Sequence, residues 1–133
     1  MIFADTSFFV AGADERDRHH KAALGLLEAV AGHRIVTTNH VRGETWTTLR
    51  RKLWHGRAVE FLDTVEGEDR HVQVARVSEA LEDDALRWLR LHDEREYSFV
   101  DATSFAYMRA RGIQEALAFD GDFAAAGFTE LRP

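Results

Sequence analysis

Ile2-Phe3-Ala4-Asp5-Thr6-Ser7 is a short apolar run that ends on an acid, with two hydroxyl residues behind it. A buried strand of a parallel sheet reads this way, because helices cover both faces and no polar alternation is needed. The carboxyl ends of such strands deliver side chains to the crevice where α/β proteins bind ligands. Asp5 can therefore be the cap of a following helix or a ligand, and the rest of the chain has to decide.

Working outward, Thr6 or Ser7 can cap a short helical turn over residues 8–10 that Gly12 closes. A helix is expected over about residues 19–31, with Ala23, Leu26, Leu27 and Val30 on one face and Gly32 as its stop. Residues 35–37 read as a second strand. Thr38 or Asn39 then caps a helix that runs to about Trp54 and is ended by Gly56. A further helix over 57–65 precedes a strand over 72–77, and Ser78 caps a helix carrying Leu81, Ala85, Trp88 and Leu89 at helical spacing. Ser98 starts another helix that ends near Gly112. Residues 116–119 read as a buried strand, followed by Asp120-Gly121-Asp122-Phe123, a small-residue helix to Gly127 and an edge strand over 128–131. Strands alternating with helices predict an α/β fold with a central parallel sheet covered on both faces, a three-layer α/β/α arrangement. No linker, repeat or low-complexity tract interrupts it, so residues 1–133 are read as one domain.

The composition narrows the chemistry. Cys is absent, which removes disulfides and thiolate metal sites and points to the cytoplasm. No apolar run approaches the ~20 residues that span a bilayer. Asp5 also interrupts the only apolar start, so neither a membrane span nor a signal peptide is expected. The formal net charge of −6 disfavours nucleic-acid binding unless a local basic patch, bound cations or a partner supplies positive charge.

The acids have a common address. Asp5 ends the first strand, Glu44 lies in the first turns of the helix after the second, Asp101 is in the first turn of its helix, and Asp120 and Asp122 follow the last long strand. In a parallel sheet these places converge on the carboxyl edge. Carboxylates crowded together repel, and a hard divalent cation is the simplest thing that holds them. An all-oxygen donor set suits Mg²⁺ or Mn²⁺ better than zinc. Each acid also has a structural alternative. Asp5 can be a cap, Ser98-Phe99-Val100-Asp101 fits a capping box, and Asp120 and Asp122 can be turn residues. Glu44 is harder to explain away, because it sits at the edge of the apolar arc of Val41, Thr45, Thr48 and Leu49.

Ile-Phe-Ala-Asp-Thr-Ser at the start, Val-Arg-Gly-Glu-Thr around Glu44, Ser-Phe-Val-Asp-Ala-Thr-Ser around Asp101 and Ala-Phe-Asp-Gly-Asp-Phe near the end resemble PIN-domain nucleases. The length and the order of motifs resemble the VapC toxins of toxin–antitoxin pairs. The resemblance implies a Mg²⁺-dependent endoribonuclease with Asp5, Glu44, Asp101 and one or both of Asp120 and Asp122 in its pocket. Asp5 and Asp101 would be the surest metal ligands; on the residues alone, Thr6 and Ser7 are candidates either for hydrogen bonds to these carboxylates from behind or for capping. It also implies an RNA substrate, a homodimer and a small cognate antitoxin. Two positions depart from the pattern: Ser7 stands where Asn is frequent, and Ala118 where Thr or Ser usually precedes the final acidic turn.

The helix after the second strand is where the chain turns basic. Arg51 falls near Glu44 by helical angle and is a candidate for RNA phosphate at the pocket mouth. Arg42, Trp46, Arg50 and Trp54 form a stripe on another side that reads as an interface with the antitoxin or a second subunit, or else as a half-buried Trp pair with solvated Arg neighbours. His40 and His55 are read as bystanders. A haloacid-dehalogenase-type phosphatase would need a second Asp where Ser7 stands, and a response receiver would need a late Lys that is missing. The alternative from another class is a non-catalytic PIN-fold interaction module whose acids are structural caps.

Overall fold

The computed structural model describes residues 1–68 and 70–133. Ile2, Phe3 and Ala4 form β1 (Ile2–Ala4), and all three are buried. β1 pairs in parallel with β2 (Ile35–Thr38) on one side and with β4 (Glu115–Leu117) on the other. β3 (Val72–Ala75) and β5 (Thr129–Glu130) extend the two flanks, giving a parallel sheet in the order β3-β2-β1-β4-β5. The register sets Phe3 beside Val36 and Ala116. Alternation then sorts the side chains. Ile2, Ala4, Ile35 and Leu117 pack with Phe8, Ala11, Ala23 and Leu26 of α1 (Thr6–Ala13) and α2 (His20–Ala29). Phe3, Val36, Ala116 and Ala118 pack with Phe105 and Met108 of α6 (Phe99–Arg111) and Phe123 of α7 (Asp122–Ala125). This is the three-layer arrangement expected from the sequence.

α3 (Asn39–Lys52) and α4 (His55–Glu66) build a further cluster in which Leu49 meets Val10, Ala58, Phe61 and Val65. α5 (Glu79–Leu91) lies against α6 through Ala85, Ala102 and Ala106, where small residues allow close packing.

Several element ends differ from the sequence expectation. The cap of α1 is Asp5 rather than Thr6 or Ser7, and its carboxylate accepts the Ser7 N–H. Gly12 lies inside α1, which ends at Ala13. α2 stops at Ala29, before Gly32. Gly56 terminates nothing: α3 ends two residues before Trp54, because Leu53 turns into the apolar cluster, and Gly56 is in the first turn of α4 beneath the Trp54 indole. β3 stops at Ala75, where its partner β2 runs out at Thr38, and the Val77 N–H goes instead to the Asn39 side chain. β4 likewise ends at Leu117 rather than Phe119. Past that point the Phe119 N–H finds the Ser7 hydroxyl instead of a neighbouring strand.

The stripe on α3 is also divided. Arg42 pairs with Glu66 of α4, and Trp46 is half-buried beside Leu53 and Leu62, edge-on to His55. Arg50 and Trp54 stand out, Trp54 54% exposed with the Arg57 guanidinium over its ring.

Candidate active site

The strand order reverses direction around β1, whose neighbours are β2 and β4, and this is where open parallel sheets form a crevice. Asp5 leaves the end of β1 there, and Asp120 follows β4. Asp5 is 2% exposed. Its Oδ2 accepts from the Ser7 N–H at 3.2 Å and from the Ser7 hydroxyl at 2.8 Å. The same hydroxyl receives the Phe119 N–H at 3.0 Å, so Ser7 ties the carboxylate after β1 to the chain after β4. Thr6 faces the Thr45 hydroxyl of α3 at 3.3 Å.

Asp101 sits at the start of α6 in a complete capping box. Its backbone N–H bonds the Ser98 hydroxyl, and its Oδ2 accepts the Ser98 N–H, both at 3.0 Å. Capping and convergence are therefore compatible. Asp5 and Asp101 each commit one oxygen to a helix start, and each has a second oxygen to offer.

Carboxylate oxygens of Asp101, Asp120 and Asp122 lie within 4.8 Å of one another. Asp120 Oδ1 accepts the Asp122 N–H, the turn chemistry anticipated for this segment. Asp122 is held by Arg95, whose Nε donates to its Oδ1 at 2.8 Å while Nη2 reaches the Asp120 carbonyl at 3.2 Å. Asp120, not Asp122, faces the cleft. That cleft, of about 440 Å³, is lined by Asp5, Thr6, Ser7, Glu44, Thr48, Phe119 and Asp120, with Asp17, Arg18, His19 and Lys52 at its margins. Asp5 and Glu44 thus share one hollow, and Asp101 and Asp122 adjoin it through Asp120. Arg51 is exposed and does not line it, and the cation of that helical turn which does is Lys52. His40 bonds Thr103 and lies near Glu82, away from the cleft lining.

The electrostatics follow from crowding. Burial, then Asp120 and Asp101, push the Asp5 carboxyl up to about 8, against the Ser7 hydrogen bonds that oppose the shift. Burial pushes Asp101 up to about 6, with Asp120 and Asp122 adding to it, and Asp120 is raised chiefly by burial as well. The Tyr97 hydroxyl is buried with no hydrogen-bond partner among the described residues. Burial raises its pKa, and Glu94, Asp122 and Asp101 add to that. A crowded all-oxygen set with an unsatisfied hydroxyl nearby fits a hydrated hard divalent cation. Sequence reasoning missed Arg95, Tyr97, Arg18 and Lys52. The first three sit in loops without periodicity, and nothing local shows where a loop will fold.

A second hollow of about 450 Å³, between α5 and α6, is lined by Trp88, Leu91 and Arg109 and holds one carboxylate, Asp84, which is paired with Arg87. It carries none of the convergent acids.

The PIN domain family matches residues 2–129. The 23S rRNA-specific endonuclease VapC20 of Mycobacterium tuberculosis, in strains H37Rv and CDC 1551, is 53% identical over 137 residues, spanning 100% of this chain and 99% of the relative. The crystal structure of M. tuberculosis VapC20, described as a Sarcin-Ricin loop cleaving toxin, superposes with a TM-score of 0.92 at 50% identity, covering all of both chains.

Proposed function

The chain belongs to the PIN-domain family and is an endoribonuclease of the VapC toxin kind, and from that premise we propose that its acidic cleft is the metal-dependent cleavage site. The observation that carries this is the meeting of Asp101, Asp120 and Asp122 within 4.8 Å beside the buried Asp5. Asp5 and Asp101 would hold Mg²⁺ or Mn²⁺, with Asp120 assisting from the cleft side. A cation bound there would lower the pKa of a water and offset charge on the phosphate.

The chain's own residues supply the rest. Glu44 orients a water in the cleft and takes its proton as the oxygen adds to phosphorus. The P–O3′ bond breaks and the departing oxygen gains a proton, leaving a 3′-hydroxyl and a 5′-phosphate, with no part for the ribose 2′-hydroxyl. Ser7 and the Ser98 cap fix the two metal-facing carboxylates. Asp122 is restrained by Arg95. Identity of 53% along the whole length of a 23S rRNA-specific endonuclease supports ribosomal RNA as the substrate and the cytoplasm as the place of action. VapC kinship supports a small antitoxin as partner and a homodimer as the free state. Among the described residues, no helix is long and apolar enough to cross a membrane.

The test is to map RNA 5′ ends after brief induction in a bacterial host, wild type against Asp5→Asn. New 5′-phosphate ends in ribosomal RNA are expected with wild type alone. Equal ends from both proteins would overturn the assignment. Calorimetry with Mn²⁺ separates a site from a set of caps: the site disappears in Asp101→Asn, whereas a non-catalytic module shows none to lose.

A further inference from the structure

Resting on that reading, we propose that Arg18 and Lys52 bind the RNA phosphates next to the scissile one, and that His19 is the positioning residue for Arg18. The cleft presents Asp5, Asp17, Glu44 and Asp120 to a polyanion, in a chain whose net charge is −6. A cation held by the acids offsets them only locally, so flanking phosphates need positive charge at the margins. Arg18, from the loop between α1 and α2, and Lys52, from the end of α3, line the same cleft. Among the described residues neither forms an ion pair with a carboxylate. By contrast Arg16, two residues before Arg18, pairs with Asp14, and Arg42, on the same helix as Lys52, pairs with Glu66.

Arg18 is also held in place. Its Nε donates to His19 Nε2 at 3.1 Å, which leaves the two terminal nitrogens of the guanidinium for a ligand. His19 is fixed in turn: its ring stacks on Phe119 with centroids 4.6 Å apart and planes 3° from parallel, and its backbone N–H donates to the Asp17 carboxylate at 2.8 Å. Phe119 immediately precedes Asp120. The phosphate-binding arm is therefore mounted on the segment that brings an acid into the cleft. An arginine oriented this way suits planar, two-pronged contact with a phosphate, while Lys52 acts as a point charge.

The experiment measures binding of a fluorescein-labelled single-stranded RNA oligonucleotide to the Asp5→Asn protein as a function of salt. Arg18→Ala and Lys52→Ala are each expected to lower the slope of log affinity against log salt by about 0.7 and to weaken binding severalfold at ~0.1 M salt, whatever the RNA sequence. His19→Ala should reproduce the Arg18→Ala defect and add nothing to it in the double variant. Arg16→Ala on the same loop should match the parent. In the cleavage-competent background, Arg18→Ala should lower kcat/KM about tenfold through KM with kcat retained. Unchanged slopes with RNA still cleaved by wild type would overturn this proposal and leave the nuclease reading standing. RNA bound through Arg18 and Lys52 but never cut with Mg²⁺ or Mn²⁺ present would overturn the nuclease reading and keep the binding arm. An independent, additive effect of His19→Ala would remove its positioning role.

Discussion

Asp5 is a carboxylate taken almost wholly out of water beside two others, so its ionised form is disfavoured. Its folded pKa of about 8 lies above the ordinary value, so the native state binds more protons than the unfolded chain between about pH 4 and 8. The stabilisation is full below that window and is lost as pH rises through it. Asp101 acts the same way up to about 6. Without metal, the protein should therefore melt higher at about pH 5 than at about pH 8, as scanning calorimetry in chelator would show. Asp5→Asn should flatten that dependence and raise the metal-free melting temperature at about pH 8 by several degrees, while cutting cleavage at least ~100-fold. Ser7→Ala removes the hydroxyl that joins Asp5 to the Phe119 N–H. A loss of about 1–2 kcal/mol and a 10–100-fold fall in cleavage rate are expected from denaturant titration and kinetics. The acids were legible as candidates because Asp5, Asp101, Asp120 and Asp122 stand near the end of a strand or the start of a helix, while Glu44 borders the apolar arc of α3. Arg95 was not, since its place beside Asp122 comes from a loop 27 positions away.

At the scale of elements, helix starts do the positioning. The Ser98–Asp101 box both begins α6 and aims one carboxylate. Ser98→Ala should cost about 1 kcal/mol of stability and also weaken Mn²⁺ binding, whereas Ser78→Ala, at the cap of α5 where its hydroxyl meets only the Leu81 N–H among the described residues, should cost similar stability and leave Mn²⁺ titrations unchanged. Helix starts marked by Ser or Thr were readable, as Thr38, Ser78 and Ser98 demonstrate with their cap bonds. Helix ends were less so. Gly12, Gly32 and Gly56 looked like stops, but only Gly112, Gly121 and Gly127 take the left-handed backbone that favours glycine in turns. Where α3 stopped was decided by Leu53 seeking an apolar cluster, which local sequence does not show.

For the molecule as a whole, a net charge of −6 and a crowded acidic cleft predict that a divalent ion, once bound, stabilises the fold. Millimolar Mn²⁺ should raise the melting temperature at about pH 8 by several degrees, and chelator should reverse it; the gain should shrink in Asp101→Asn. The layered parallel fold was legible because alternating strand and helix patterns admit few arrangements. The cleft's cationic margin was not, because it is assembled from separate loops and helix ends.

The pairing of β1 with β4 has one more consequence, for the order of events on the ribosome. The central strand is synthesised first, yet one of its two flanks waits for residues 115–117, and the Asp5 N–H waits for the Leu117 carbonyl. A chain cut short before these residues lacks both the β4 flank and Asp120 of the cleft. The crevice beside β1 cannot be completed before residues 115–122 have been made.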